Sequence, residues 1–290
     1  MLNKFSNKLL NKFSVLVPVY NNDEFLRPCL ESVTDFAHEL VILEGGWNPT
    51  LPLRSTDNTL SIIEEFQQKY TNIRVIYYDA VEGEDRRTNT YNPTVLFNQI
   101  RAKQQAVKDL TGDWMMMVDS DEIYRPEDLI KLDNYLYNLK VTEEYFVCRI
   151  PAFVFYFDYW FGTREYFTRI SRILESPCRL TWEDSVLPPD NTQINQIDLD
   201  ENLILMYHYG YPTLSRVRNK LKMWRGDVTD VWFKEYENIM NDKMSSKKSG
   251  KTFYKPGQNY HLFAKSLGYG QAFEYFTGTH PECMKGIVNI

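Results

Sequence analysis

The stretch that decides the fold is Trp114-Met115-Met116-Met117-Val118-Asp119-Ser120-Asp121-Glu122. Its apolar half reads as a short strand buried on both faces, and it breaks directly into three carboxylates within four positions. A strand covered on both sides needs helices on both sides, so strand and helix text should alternate around it. Upstream, Thr94 to Leu110 has helical spacing and closes at Thr111-Gly112. Before it stand three more β-branched runs, Val15-Leu16-Val17-Pro18-Val19, Leu40-Val41-Ile42-Leu43 and Ile73-Arg74-Val75-Ile76-Tyr77. Between these, Asn22 or Asp23 caps a helix bearing Leu26, Cys29, Leu30 and Val33, and Asp57 caps one bearing Leu60, Ile63, Phe66 and Tyr70. Downstream, Pro126 opens a helix with Leu129, Leu132, Leu136 and Leu139 on one face. The βαβαβαβα order predicts an α/β fold with a mainly parallel sheet, whose ligands bind at the carboxyl ends of the strands. Glu44 and the acidic cluster both fall at such ends. Residues 146–161 and 166–174 read as aromatic strands added in mixed or antiparallel fashion. Helical signals dominate from Tyr211, and residues 243–251 read as a flexible loop.

The composition limits what such a fold does. The 290 residues carry 33 basic and 39 acidic side chains, a formal charge of −6, which disfavours nucleic acid as a partner. Cys29, Cys148, Cys178 and Cys283 are scattered without a C-x-x-C pair, which argues against a zinc site or a disulfide framework and for a reducing, cytoplasmic setting. No run approaches a membrane span, and the opening residues lack a signal peptide's apolar core. Lys4, Lys8 and Lys12 among Phe5, Leu9, Leu10 and Phe13 read first as a solvated extension and second as a peripheral contact with an anionic membrane surface.

Asp119 and Asp121, one residue apart at a strand end, project at different angles, so one suits a hard divalent cation and the other a polar ligand group. The alternative is a solvated acidic turn in front of the helix at Pro126, favoured by the helix dipole.

Ser14-Val15-Leu16-Val17-Pro18-Val19-Tyr20-Asn21, together with Thr111-Gly112-Asp113-Trp114 running on to Asp119-Ser120-Asp121-Glu122, resembles the family 2 glycosyltransferases of the GT-A fold. The resemblance extends through Phe157-Asp158-Tyr159-Trp160, residues 169–173, Tyr207-His208-Tyr209-Gly210-Tyr211 and Phe276-Thr277-Gly278-Thr279-His280-Pro281. It implies a Rossmann-like mixed sheet and inverting transfer from a UDP- or GDP-class nucleotide-diphosphate sugar to a saccharide or glycan acceptor, with Mn2+ or Mg2+ as cofactor. In that reading residues 1–13 are an extension, 14–205 the nucleotide-sugar-binding catalytic domain, and 206–290 a mainly helical acceptor or lid region.

The resemblance also assigns residues. Pro18, Tyr20 and Asn21 flank the base, Asp119 meets the ribose or a metal-bound water, and Asp121 coordinates the ion. Glu44, followed here by an insertion running through Arg54, takes the place of the carboxylate that accepts from the base. Arg101 or Lys103 reaches the nucleotide or its phosphates. Asp184 is the expected base toward the acceptor hydroxyl, with Glu183 second, Glu122 a competitor and Trp182 a sugar platform. A cap or surface pair is the plain alternative for Glu183 and Asp184. His208 completes the metal site or contacts diphosphate, or else is a satisfied buried imidazole. Arg216, Arg218 and Lys220 close over phosphate or form a basic solvated face. Two other functions remain to be weighed: a sugar-phosphate nucleotidyltransferase, which lacks its expected Gly-rich basic loop here, and a catalytically silent binding relative.

Overall fold

The computed structural model describes residues 9–84, 92–139, 145–174, 194–225, 233–234, 236–241 and 274–288. Four parallel strands form one half of the sheet: β1 (Phe13–Val19), β2 (Glu39–Glu44), β3 (Ile73–Tyr77) and β4 (Trp114–Met117). Their side chains alternate between two apolar layers. Val15, Val17, Leu40, Ile42, Trp114 and Met116 face one layer, and Leu16, Val41, Leu43, Met115 and Met117 face the other. The first layer is covered by α1 (Asp23–Val33), α2 (Thr59–Lys69) and α4 (Pro126–Leu139) through residues such as Phe25, Ile63 and Leu132. The second is covered by α3 (Pro93–Ala106), through Val95, Ala102 and Ala106.

Because both faces of β1, β2 and β4 are buried, a register slip would exchange one apolar layer for another at little cost. Polar contacts at the amino edge supply what hydrophobicity leaves undetermined. Ser14 Oγ donates to Glu39 Oε1 at 2.5 Å, Gly112 N donates to Ser14 Oγ at 2.9 Å, and Thr111 Oγ1 donates to Glu39 at 2.9 Å. A Cβ at Gly112 would lie 2.6 Å from Ser14 Oγ and 2.7 Å from Ser14 N, so glycine is required where β4 is keyed to β1.

The other half of the sheet is mixed. β6 (Phe146–Tyr156) and β7 (Phe161–Arg172) form a long antiparallel pair, and β7 joins the first half antiparallel to β4. The order is β3-β2-β1-β4-β7-β6-β9-β5, where β5 is Glu122–Ile123 and β9 is Met206–Tyr211. Off this path, β8 (Asn195–Asp198) pairs with β6 and β10 (Glu274–Tyr275) with β7. Both β9 and β10 lie beyond residue 205, so the segment expected to be helical also supplies strands to the catalytic sheet. Its helix α5 (Leu214–Arg225) follows β9 directly. The expected helix from Thr94 begins at Pro93, where Asn92 Oδ1 accepts from Thr94 N at 3.0 Å, and ends at Ala106 rather than Leu110. The residues in between are drawn into the turn that reaches Glu39.

Candidate active site

At the carboxyl edge of the sheet, β1 runs into Tyr20-Asn21-Asn22, β2 into Gly45, and β4 into the acidic turn. Asn21 takes φ 46°, a left-handed conformation that asparagine tolerates, and this lets its Oδ1 accept from Thr56 N at 2.7 Å while its N–H donates to Ser55 Oγ at 2.8 Å. At Gly45, with φ 143°, a Cβ would lie 2.3 Å from Tyr78 O, so only glycine lets β2 leave the sheet here. These turns border a cavity of about 430 Å³ within the size range of small-ligand sites. It is lined by Pro18, Tyr20, Asn21, Trp47 and Pro52, by Asp119, Ser120 and Asp121 of the acidic turn, and by Arg216, Asn219, Lys220 and Met223 of α5.

The acidic turn is held from three directions. Glu122 N donates to Asp119 O at 2.8 Å, Asn22 Nδ2 to Ser120 Oγ at 2.7 Å, and Tyr209 N of β9 to Asp121 O at 2.8 Å. Arg169, on β7 and 6% exposed, reaches both Glu122, which is fully buried, and Asp119 Oδ2 at 3.0 Å. Burial by itself would raise Asp119, but Arg169, with Lys103 behind it, holds its carboxyl below the usual range. Glu122 behaves oppositely. Burial and then the neighbouring Asp119 and Asp121 charges push it up to about 8 against the pull of Arg169, because three carboxylates this close do not all ionise.

Asp121, 1% exposed, faces α5. Arg216 and Lys220 stand four residues apart and so share one helix face; their side chains meet Asp121 Oδ2 at 2.6 and 2.8 Å. His208 Nε2 lies 3.5 Å from Oδ1 of the same carboxylate. Burial would raise Asp121, yet Lys220, Arg216 and His208 together hold it well below the usual range. Burial also lowers His208 to about 4, leaving its imidazole neutral. Arg218 turns away, over the Phe233 ring at 4.9 Å.

Of the expected site residues, Pro18, Tyr20, Asn21, Asp119 and Asp121 line one cavity, with His208 against Asp121. Glu44 requires a correction. It does not line the cavity: fully buried, it lies 3.7 Å from Arg54 at the end of the insertion and accepts at 2.8 Å from Ser55 N, the next residue's backbone N–H, which needs an acceptor. Besides the acidic turn, the carboxylates lining the cavity are Asp23 and Asp57. Between Arg101 and Lys103 the structure discriminates. Arg101 is exposed over Phe97 on a separate surface beside Tyr78 and Lys108, whereas Lys103 is 3% exposed, 5.7 Å from the Trp47 ring and close enough to lower Asp119. Trp182, Glu183 and Asp184 lie outside the described residues, as do residues 243–251. Sequence reasoning missed Arg169 as a site residue, and the strand from Phe161 to Arg172, which also carries Arg164 and Arg172, gives no local signal that singles it out.

Among the described residues, no three His, Cys, Asp or Glu side chains gather closely enough to hold a metal ion by themselves. The donor chemistry nonetheless fits one. Asp119 and Asp121 are held anionic, His208 is held neutral as a ligand must be, and the Lys220 ammonium sits on Asp121 as a stand-in cation. Magnesium typically takes one or two carboxylates and completes its shell with water and phosphate oxygens, so two carboxylates suffice.

Residues 14–150 match the family model for glycosyl transferase family 2. The poly(ribitol-phosphate) beta-glucosyltransferase of Bacillus spizizenii is 26% identical over 129 residues, 43% of this chain and 17% of that protein. The poly(ribitol-phosphate) beta-N-acetylglucosaminyltransferase TarS of Staphylococcus aureus is 29% identical over 123 residues, 41% of this chain and 18% of that protein. The chain thus spans less than a fifth of the length of either relative. The solved structure of TarS residues 1–349 aligns over 89% of this chain and 79% of that one, at 15% identity and a TM-score of 0.39. Among the described residues, no helix is long and apolar enough to cross a membrane. The segment that carries the first four strands and the Asp119–Asp121 turn is thus the part of this chain that is similar to glycosyl transferase family 2.

Proposed function

We propose that the chain moves a sugar, with inversion, from a UDP- or GDP-class nucleotide-diphosphate sugar to a saccharide or surface-glycan acceptor. The observation carrying this reading is the cavity itself, which is lined by aromatic and proline side chains, a cationic helix and a pair of anionic carboxylates. Such a site offers stacking to a base and charge to a diphosphate, and the relatives' names place sugar transfer within the family. Tyr20 is held for base stacking: its hydroxyl donates to Pro52 O at 2.8 Å and its ring lies 3.2 Å from where a Gly46 Cβ would stand. Asp119 would bind the ribose or a water on the ion, and Asp121, with His208 beside it, would hold the ion. When bound, Mn2+ or Mg2+ supplies Lewis-acid stabilisation of the departing diphosphate. Arg216 and Lys220 add positive charge on the leaving-group side, and Arg169 keeps Asp119 ionised.

As proton acceptor from the incoming hydroxyl we retain Asp184, with Glu183 as second choice and Trp182 as the sugar platform, on the sequence resemblance. Residues 14–205 act as the catalytic domain, and residues 206–290 contribute α5 to the donor site and line the acceptor side. The chain works in the cytoplasm, in peripheral contact with a membrane where its acceptor is lipid-borne.

The test is a panel of nucleotide sugars incubated with the purified chain in Mn2+, in Mg2+ and in excess chelator, with products identified. The expected result is a nucleoside diphosphate released from one donor class only in the presence of the ion. Pyrophosphate released from a nucleoside triphosphate and a sugar phosphate would establish a nucleotidyltransferase instead. Donor binding with no turnover across a broad acceptor panel would establish a silent relative.

A further inference from the structure

The charge arrangement around Asp121 is unbalanced. One carboxylate oxygen, Oδ2, receives both the Arg216 guanidinium at 2.6 Å and the Lys220 ammonium at 2.8 Å. Two cations on one oxygen leave donors to spare. Arg216 Nε is buried with no hydrogen-bond partner, in a residue only 7% exposed, and Lys220 Nζ reaches no closer than 3.5 Å to His208 Nε2. A buried guanidinium N–H without an acceptor is costly, and it identifies a place where an anionic oxygen is missing. Both side chains line the cavity from one face of α5, and Thr213 Oγ1 accepts from Arg216 N at 3.3 Å at the start of that helix. The backbone is therefore set while the charged ends have two possible partners.

We propose that Arg216 and Lys220 are an exchangeable counter-charge: they neutralise Asp121 in the ligand-free chain and turn to the diphosphate oxygens of the donor when a divalent ion takes Asp121. This inference rests on the nucleotide-sugar reading above and deepens it. Its consequence is that ion and nucleotide assist each other through α5, since the ion displaces the two side chains that the diphosphate then receives. Reciprocal coupling of this kind typically amounts to about 5- to 150-fold in affinity.

The test is binding on the full chain. Mn2+ affinity is read from the spin-resonance signal of unbound Mn2+, and UDP and GDP affinity by calorimetry with Mn2+ and with chelator. In Lys220→Met, Mn2+ alone should bind tighter than in the parent, and the nucleotide in chelator weaker by roughly 10-fold. The factor by which Mn2+ and nucleotide raise each other's affinity should shrink several-fold. A fixed bystander charge would alter the separate affinities but not that factor, so an unchanged factor overturns the exchange. Lys220→Arg should restore it, Arg218→Met should match the parent, and Lys220→Gln gives a second removal of the charge if the methionine variant folds poorly. Failure of every protein to bind either nucleotide, with or without Mn2+, would overturn the nucleotide-sugar reading itself. Nucleotide binding with undiminished coupling in Lys220→Met and Lys220→Gln overturns only the exchange.

Discussion

Asp121→Asn is expected to reduce sugar transfer by about 10³-fold or more while leaving nucleotide binding in chelator as strong as in the parent or stronger. The amide keeps the side chain's shape but removes the charge that both a divalent ion and the α5 cations use. Loss of a preorganised electrostatic contact to a leaving group typically costs about 10²- to 10³-fold, and loss of the ion's contribution adds to it. Binding should move the other way because Arg216 and Lys220, no longer drawn to a carboxylate 2.6 and 2.8 Å away, are released to a diphosphate. Steady-state kinetics and calorimetry read the two effects separately. Parallel loss of affinity and turnover, with circular dichroism showing a disordered chain, would instead make Asp121 a residue of the fold.

Arg169→Met is expected to cost about 1–3 kcal/mol of folding stability, the usual loss when a buried polar group is left without its hydrogen-bond partner. Arg169 is the guanidinium that reaches both Asp119 and Glu122, and its removal leaves the buried Glu122 carboxyl without its hydrogen-bond donors and the partly exposed Asp119 without its counter-charge. Glu122→Gln should be far milder near neutral pH, since Glu122, raised to about 8, is already largely protonated there. The pH dependence follows from the same value. A carboxyl raised from an ordinary 4.5 to about 8 makes the folded chain hold more protons than the unfolded one across that window, so its contribution to stability falls as pH rises from about 5 to 8. Asp119 and Asp121, held below the usual carboxylate range, and His208, lowered to about 4, complete their titration below that window in the folded chain. Denaturant titrations at several pH values should therefore show the parent losing ground to Glu122→Gln across that range and holding a constant difference above it. A difference independent of pH would mean that Glu122 is ionised throughout.

The parallel half of the fold was legible because its signals are local. The runs at β1, β2 and β3, and the break from Val118 into Asp119, needed only residue periodicity and the strand-end rule for α/β sheets. The site was legible only where strand position or the family resemblance fixes it. Asp119 and Asp121 follow from a strand end, Pro18, Tyr20 and Asn21 follow from the family resemblance, and all five border one cavity. Glu44 also stands at a strand end, but its side chain is taken by the Ser55 N–H just past the insertion, a contact that sequence order does not disclose. Lys103 and Arg101 are two residues apart on α3 and point to different surfaces, a choice that depends on how the helix is rotated against the sheet. Arg169 and the α5 pair meet the acidic turn from 47 to 99 positions away in sequence, and no periodicity links residues so distant.

The most direct test of the account is a crystal structure of the full chain grown with saturating UDP or GDP and Mn2+. The account predicts the nucleotide in the cavity at the strand ends, its base against Tyr20, its diphosphate between Asp121 and the Arg216–Lys220 face, and the ion on Asp121. A nucleotide bound on any other surface, or a cavity without nucleotide at saturating concentration, would contradict it.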